Sequence, residues 1–410
     1  METTLTPAAP RRLDRWARRL AFSLLSGLKD AGLTIEDGDD TFFFGDARAD
    51  LQARVRVLDP RSYRRLLAGG SIGAAESWVE AGWHSPDLTA LTRLFARNLA
   101  VLDRMERRLG WLTWPLHRLV HRRNRNSTRG SRANIAAHYD LGNDMYALFL
   151  DPLMQYSSAV FPEAGVSLEQ AQQHKLRLIC SRLELGPDDH LLEIGTGWGG
   201  LACYAARHYG CRVTTTTLSR EQFEHAQARV KREGLEERVT LLLKDYRELT
   251  GQYDKLVSVE MIEAVGHEYL PAYFRALNRL LKPHGRLLIQ AITMVDQRYD
   301  QYRKGVDFIQ RYIFPGGCLP SVSEMTRHLR EQTDMTLVRL HDYGWHYAET
   351  LRIWAERFQQ AGPDLARLGY GADFQRLWAY YFAYCEGGFR EGTIGLAHFE
   401  ATRPAARARS

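Results

Sequence analysis

The stretch LLEIGTGWGGLACYAARHYG, residues 191–210, places four glycines between a short apolar run and an apolar segment of helical character. A Gly-x-Gly-x-x-Gly turn in that setting is the first βα turn of a Rossmann-like sheet. Glycine permits the tight turn and lets a ligand approach the backbone, and the helix N-terminus offers free N–H groups. The alternative is a purely structural glycine turn. Two carboxylates bear on which ligand the turn holds: Glu193 in the first strand and Asp245 in KDYREL. A nicotinamide cofactor requires an acid at the end of the second strand to hold its ribose. That strand ends TTTTLS, residues 214–219, with none. S-adenosylmethionine has no pyrophosphate, so the turn would cradle its amino-acid part while the carboxylates act as acceptors. The residues fit that cofactor better, with an N-cap as the plainer role for Asp245.

The elements that must position these residues follow from Asn134 onward. Strands are expected at 190–195, 211–219, 239–246, 254–261 and 285–293, with helices at 199–208, 220–233 and 268–282 between them. EQFEHAQARVKREGL is charged on one face and closes on Gly234, a helix C-cap signal. Alternating strands and helices predict an α/β class, a mostly parallel, doubly wound sheet with ligands at the carboxyl ends of its strands. Upstream, ARVRVLDPRSYRRLLAGGSIGAAESWVEAGW passes from strand alternation to a helical pattern. The expected organisation is a smaller N-terminal domain at 1–116, a basic linker at 117–133 and a catalytic domain at 134–405.

Composition sets the remaining bounds. The 410 residues are 45% hydrophobic and 11% aromatic, enough for a real core and against global disorder. A net charge of +6 favours an anionic partner, nucleic acid or an anionic lipid surface. Five scattered cysteines form no Cys-x-x-Cys pair, so neither a zinc site nor a disulfide framework is expected, and a reducing cytoplasm fits. No apolar run reaches the roughly 18–20 residues of a membrane span, and no secretory signal is visible.

Six motifs together are more specific than the glycine loop. HYDLGNDMYALFLDPLMQYSSAVF (138–161), LLEIGTGWGG, TTLSREQ, VSVEMIEAVG (257–266), YIFPGGCLPS (312–321) and YYFAYCEGGFR (380–390) occur in one order over about residues 134–400. In these the chain resembles the cyclopropane-fatty-acyl-phospholipid synthases, which include a small N-terminal lipid-associated domain. The resemblance implies that a cis double bond of a phospholipid acyl chain attacks the methyl group of S-adenosylmethionine, and that proton loss from the new methyl closes a cyclopropane ring. It also implies a bound bicarbonate as the base, in a polar pocket of Ser158, Glu263, Gln290, Ile292 (through its backbone N–H) and Tyr347. Cys385 matches a cysteine once regarded as the family's active residue. The implied cofactor residues are Tyr156, Ser157, Gly195, Gly197, Trp198, Gly199, Leu218, Gln222, Asp245 and Tyr246.

Three positions depart from the family pattern: Ser158 stands where Cys is usual, and Ala264 and Gln290 stand where His is usual. Gln290 donates a hydrogen bond but cannot become cationic or relay a proton. The alternative outcome is therefore methylation of the double bond without ring closure. The implied setting is cytoplasmic, peripheral to the inner face of an anionic membrane, with a homodimer as a further implication. A nucleic-acid methyltransferase would also explain the basic charge, but no base-flipping motif, RNA-binding module or zinc cluster is found. A non-catalytic lipid binder is opposed by the intact loop and Glu263, and an NAD-dependent oxidoreductase by TTTTLS.

The linker predicts its own test. Arg118, Arg122, Arg123, Arg125, Arg129 and Arg132 follow one another without an intervening acid, each worth at most about 1 kcal/mol at an anionic bilayer. Sedimentation with anionic vesicles is expected to weaken as salt rises and as anionic lipid is withdrawn. Binding indifferent to both would reduce the linker to a spacer.

Overall fold

Short apolar and β-branched runs alternate with helices whose ends are marked chemically. Ser219 caps the helix Arg220–Arg232 by accepting from the N–H of Gln222, and Gly234 follows that helix with φ 66°. Ser167 and Gln170 form a reciprocal capping box at the start of Leu168–Arg182. The helix Gly200–Tyr209 lies between Gly199 and Gly210, both left-handed. The structure is a computed structural model that describes residues 12–101, 103 and 142–404. The basic linker and residues 138–141 lie outside the described residues.

The chain divides into two compact units. The first comprises residues 1–122, 306–311 and 355–393; the second comprises 123–305, 312–354 and 394–410. In the first, β1 (Gly32–Asp37), β2 (Asp40–Gly45), β3 (Gln52–Val57) and β4 (Trp83–His84) form a sheet of order β2-β1-β3-β4. Residues 306–311 and 355–393 therefore group with the N-terminal residues, whereas the sequence division places them in the catalytic domain. The cause is local: the helix Ala372–Arg390 packs on Arg61–Val79 and Leu88–Arg97. Gly387 makes this packing possible, since a Cβ there would fall 2.4 Å from the Thr92 hydroxyl. The Thr92 hydroxyl donates to the Ala383 carbonyl, Trp78 Nε1 donates to the Arg376 carbonyl, and Arg93 and Arg97 both pair with Glu391.

The second unit carries a seven-stranded sheet. Its strands are β5 (His190–Ile194), β6 (Arg212–Thr216), β7 (Val239–Leu242), β8 (Tyr253–Val259), β9 (Leu281–Met294), β10 (Thr336–Asp342) and β11 (Ile394–Thr402). The order is β10-β11-β9-β8-β5-β6-β7. Strands β5 to β9 run parallel, while β11 is antiparallel to both β9 and β10. Strands β5 to β9 correspond to the five predicted ones, and β10 and β11 are additional. One apolar layer includes Leu176, Ala202, Val213 and Val230; another includes Leu256, Phe274, Leu277 and Ile289. The winding reverses between β5 and β8, which is where a doubly wound sheet opens a crevice at its carboxyl edge.

One loop is tied down beside that crevice. The Asp151 carboxylate accepts from the N–H groups of Leu153 and Gln155, shaping the turn that leads to Tyr156, Ser157 and Ser158. Arg229, buried on Arg220–Arg232, donates to the carbonyls of Pro152 and Leu153 at 2.9 and 2.8 Å. Replacing it leaves two carbonyls without that donor. Arg229→Met is expected to lower unfolding free energy by about 2–4 kcal/mol. Denaturant titration that finds no loss would show that the loop is held by other means.

Candidate active site

A cavity of about 170 Å³ opens at the carboxyl ends of β5 and β8. Of the ten residues implied for the cofactor, Tyr156, Ser157, Gly195, Gly197, Trp198, Leu218, Gln222, Asp245 and Tyr246 line it. Gly199 does not; a Cβ there would meet the Ala226 Cβ at 3.1 Å, so its place is in the contact between neighbouring helices. Gly195 and Gly197 have φ of 103° and 52°. A Cβ on Gly197 would meet no protein atom within 4 Å, so the space beside it is open to a ligand.

Glu193 and Asp245 both reach this wall, in different states. Asp245 accepts from the N–H of Arg247 and pairs with its guanidinium at 2.6 Å, which makes it the N-cap of the turn Tyr246–Glu248. Glu193 is buried and accepts from the Thr215 hydroxyl at 2.6 Å; burial pushes its carboxyl up to about 8. Gln222 accepts from the Thr217 hydroxyl at 2.9 Å, fixing the orientation of its amide. The open space beside its glycine cradle fits the approach of S-adenosylmethionine to the backbone.

Beyond the end of β8, a second cluster forms around Glu260, which also lines the cavity. Its carboxylate accepts from the Ser158 N–H at 2.9 Å, from Gln290 Nε2 at 2.7 Å and from the Tyr347 hydroxyl at 2.7 Å. Ser158 contributes its amide alone, because its hydroxyl donates to the Ala159 carbonyl. His398 Nε2 bonds Gln290 Oε1 at 2.9 Å; burial depresses His398 to about 3, so it is neutral and acts as the donor. The Ile292 N–H goes to Glu263 Oε1 at 2.6 Å, while Glu263 Oε2 is buried without a partner.

The resemblance assigns these same donors to bicarbonate. Here the Ser158 and Ile292 amides, Gln290 and Tyr347 are all engaged by two carboxylates of the chain itself. As the pocket stands, bicarbonate does not fit it, because each of these donors already meets Glu260 or Glu263. Glu260 sits at φ 49°, a left-handed conformation costing a non-glycine residue roughly 1 kcal/mol or more.

Electrostatics separates the carboxylates. Burial and then the Glu260 charge push Glu263 up to about 8. Burial raises Glu260 on balance, opposed by three hydrogen-bond donors and the Lys175 charge; its charge in turn raises Glu263, so Glu260 is the more readily ionised of the pair. Lys175, on Leu168–Arg182, is fully buried and donates to the Ser157 hydroxyl at 2.7 Å and to Gln155 at 3.2 Å. Burial lowers it to about 8, against the pull of Glu260, Asp151 and Glu193.

The fold thus brings together Ser158, Gln290, Tyr347, Glu263 and Ile292 from the sequence reading. Cys385 belongs to the first compact unit, where burial raises its thiol so that no thiolate is available near neutral pH. Sequence reasoning missed Glu260, Lys175 and His398. The acid in VSVEMIEAVG at the carboxyl end of a strand was a signal for the first of them.

The family model described as "Mycolic acid cyclopropane synthetase" matches residues 126–399. The chain is 40% identical over 356 residues to tuberculostearic acid methyltransferase UfaA1 of Mycobacterium tuberculosis, covering 83% of this chain and 81% of that protein. It is 38% identical over 387 residues to cyclopropane-fatty-acyl-phospholipid synthase of Escherichia coli, covering 93% and 92%. The crystal structure of mycolic acid cyclopropane synthase CmaA1 complexed with SAH and CTAB aligns with TM-score 0.62 and 32% identity, over 66% of this chain and 98% of that one.

The raised Glu263 carboxyl has a sign that can be tested. The folded protein keeps a proton that the unfolded chain releases near pH 4.5, so this contribution to stability is full below that pH and is lost as pH rises through about 8. The melting temperature is therefore expected to fall across that window. Glu263→Gln, neutral throughout, should flatten the fall in melting curves; an unchanged slope would mean that Glu263 is ionised in the folded state.

Proposed function

The chain belongs to the mycolic acid cyclopropane synthetase family, and on that basis we propose that it converts a cis double bond of a phospholipid acyl chain into a cyclopropane. The observation that carries the proposal is the glycine-cradled cavity at the sheet's switch point with a charged carboxylate in its wall. S-adenosylmethionine, when bound, supplies an electrophilic methyl group. Tyr156, Ser157, Gly195, Gly197, Trp198, Leu218, Gln222, Asp245 and Tyr246 would hold it.

An alkene has no proton to give up before it attacks, so the protein's part is to position the chain and to favour positive charge. Glu260 supplies the negative charge, and aromatic faces supply the rest. Tyr156 lies 5.4 Å from Trp354 and 6.3 Å from Phe314, centroid to centroid, and Trp354 meets Tyr347 edge-on. Such rings stabilise a passing cation while excluding water.

In this reading the substrate lies in an anionic membrane surface on the cytoplasmic side. Among the described residues no helix is long and apolar enough to cross a membrane. The helix Arg12–Leu25 exposes Leu13 and Trp16 beside Arg12, Arg15 and Arg19, an apolar and cationic combination suited to a lipid headgroup region.

Incubation with S-adenosylmethionine and vesicles of cis-unsaturated phospholipid is expected to give acyl chains heavier by one CH₂, with ring protons upfield in proton NMR. Methylated-alkene signals without ring protons would replace cyclopropanation by methylation alone. Absence of any product would remove the acyl-chain reading.

A further inference from the structure

We infer that the Glu260 carboxylate is the base that closes the ring, built into the chain at the place the family resemblance reserves for bicarbonate. The inference rests on the acyl-chain reading above.

Three segments distant in sequence converge on this carboxylate: the 151–158 loop through the Ser158 N–H, β9 through Gln290, and the helix Gly344–Gln360 through Tyr347. The polarity is set one residue further out, since the His398 N–H occupies the Gln290 carbonyl and leaves the amide nitrogen to donate to Glu260. A glutamine here completes a shell of donors around an anion that never leaves. It has no need to become cationic, which accounts for the departure from histidine at 290.

Two further observations single out Glu260 among the acids. Its backbone is left-handed, φ 49°, a conformation that disfavours any side chain and is retained where surrounding contacts enforce it. It lines the same cavity as Gly195, Gly197 and Tyr156. The other acids are poorer bases at neutral pH: burial raises both Glu193 and Glu263 to about 8, so each keeps its proton. Lys175 provides the compensating positive charge.

The step balances with the residues present. The alkene's π pair forms the bond to the transferred methyl, and the pair of the broken S–C bond stays on sulfur. The Glu260 carboxylate then takes one proton from that methyl. The freed C–H pair joins the methyl carbon to the cationic chain carbon, completing the ring. Glu260, now neutral, releases the proton to water before the next turnover.

The test compares wild type, Glu260→Gln and Glu260→Gly on dioleoyl-phosphatidylglycerol vesicles, in carbon-dioxide-free buffer and with millimolar bicarbonate added. S-adenosylhomocysteine release and ring protons are the readouts. Wild type is expected to ignore bicarbonate. Glu260→Gln should lose about 10²–10⁴-fold in turnover in both buffers, with S-adenosylmethionine affinity by calorimetry unchanged. Glu260→Gly relieves the left-handed strain but leaves three donors without their partner, so melting curves with and without bicarbonate are run beside it to confirm that it folds. Its vacated shell of donors should take up bicarbonate, giving turnover that is lost without bicarbonate and returns with it. A merely structural glutamate would show no such rescue. Wild-type turnover that collapses on carbon dioxide removal overturns the inference, as does Glu260→Gln at the wild-type rate. Wild type that binds S-adenosylmethionine yet yields no product in either buffer sinks the acyl-chain reading, and the base falls with it.

Discussion

Water solvates a carboxylate so well that a protein can withdraw one only by replacing that solvation group by group. In this chain the replacement consists of an amide from a loop, an amide side chain from β9, a phenol from a helix and one buried ammonium group. Each donor must arrive on its own element, and this requirement accounts for much of the local architecture. The 151–158 loop is clamped by Asp151 and Arg229 so that Ser158 presents its amide. Strand β11 pairs beside β9 and brings His398 opposite Gln290 in register. Lys175 is carried on a helix that also buries Gln172 and otherwise turns residues such as Leu176 and Ile179 inward. Its ammonium is the one charge-bearing group that the helix turns to the polar wall.

The arrangement separates binding from proton chemistry within one crevice. The glycine turn and the aromatic wall are neutral surfaces suited to holding a flat base and a long chain. The acids sit at the end of β8 and are graded by their partners: Glu260 has three donors and holds charge, while Glu263 has one and keeps its proton. Like-charged acids placed near one another divide into an ionised and a neutral member because both cannot be charged.

The parallel part of the sheet was legible from sequence because each strand is a compact apolar run bounded by turn or cap residues. TTTTLS and the glycine turn together favoured S-adenosylmethionine over a nicotinamide, and the ordered family motifs carried the assignment. Strand β10 escaped because it is largely exposed, and TLVRLHD has no apolar face strong enough to mark it. The joining of 355–393 to the N-terminal residues was invisible because it depends on Gly387 fitting against Thr92, a contact between residues remote in sequence. Within the site, the family motif led to Glu263, Gln290 and Tyr347 but not to Glu260, the carboxylate that Gln290 and Tyr347 meet. Lys175 was hidden for a plainer reason. LEQAQQHKLRLICSR reads as a solvated helix, and nothing in one sequence says which of its polar residues turns inward.

The Trp78–Arg376 hydrogen bond joins residues 298 positions apart. On a ribosome the helices Arg61–Val79 and Leu88–Arg97 emerge long before the helix they pack on. At about 5–20 residues per second, that interval is roughly 15 to 60 s. For that time Trp78, Thr92 and the arginines that will meet Glu391 lack their partners, while much of the second unit is already being made. The first unit to be started is thus among the last to be finished, and the nascent chain exposes an apolar helix pair for most of its synthesis.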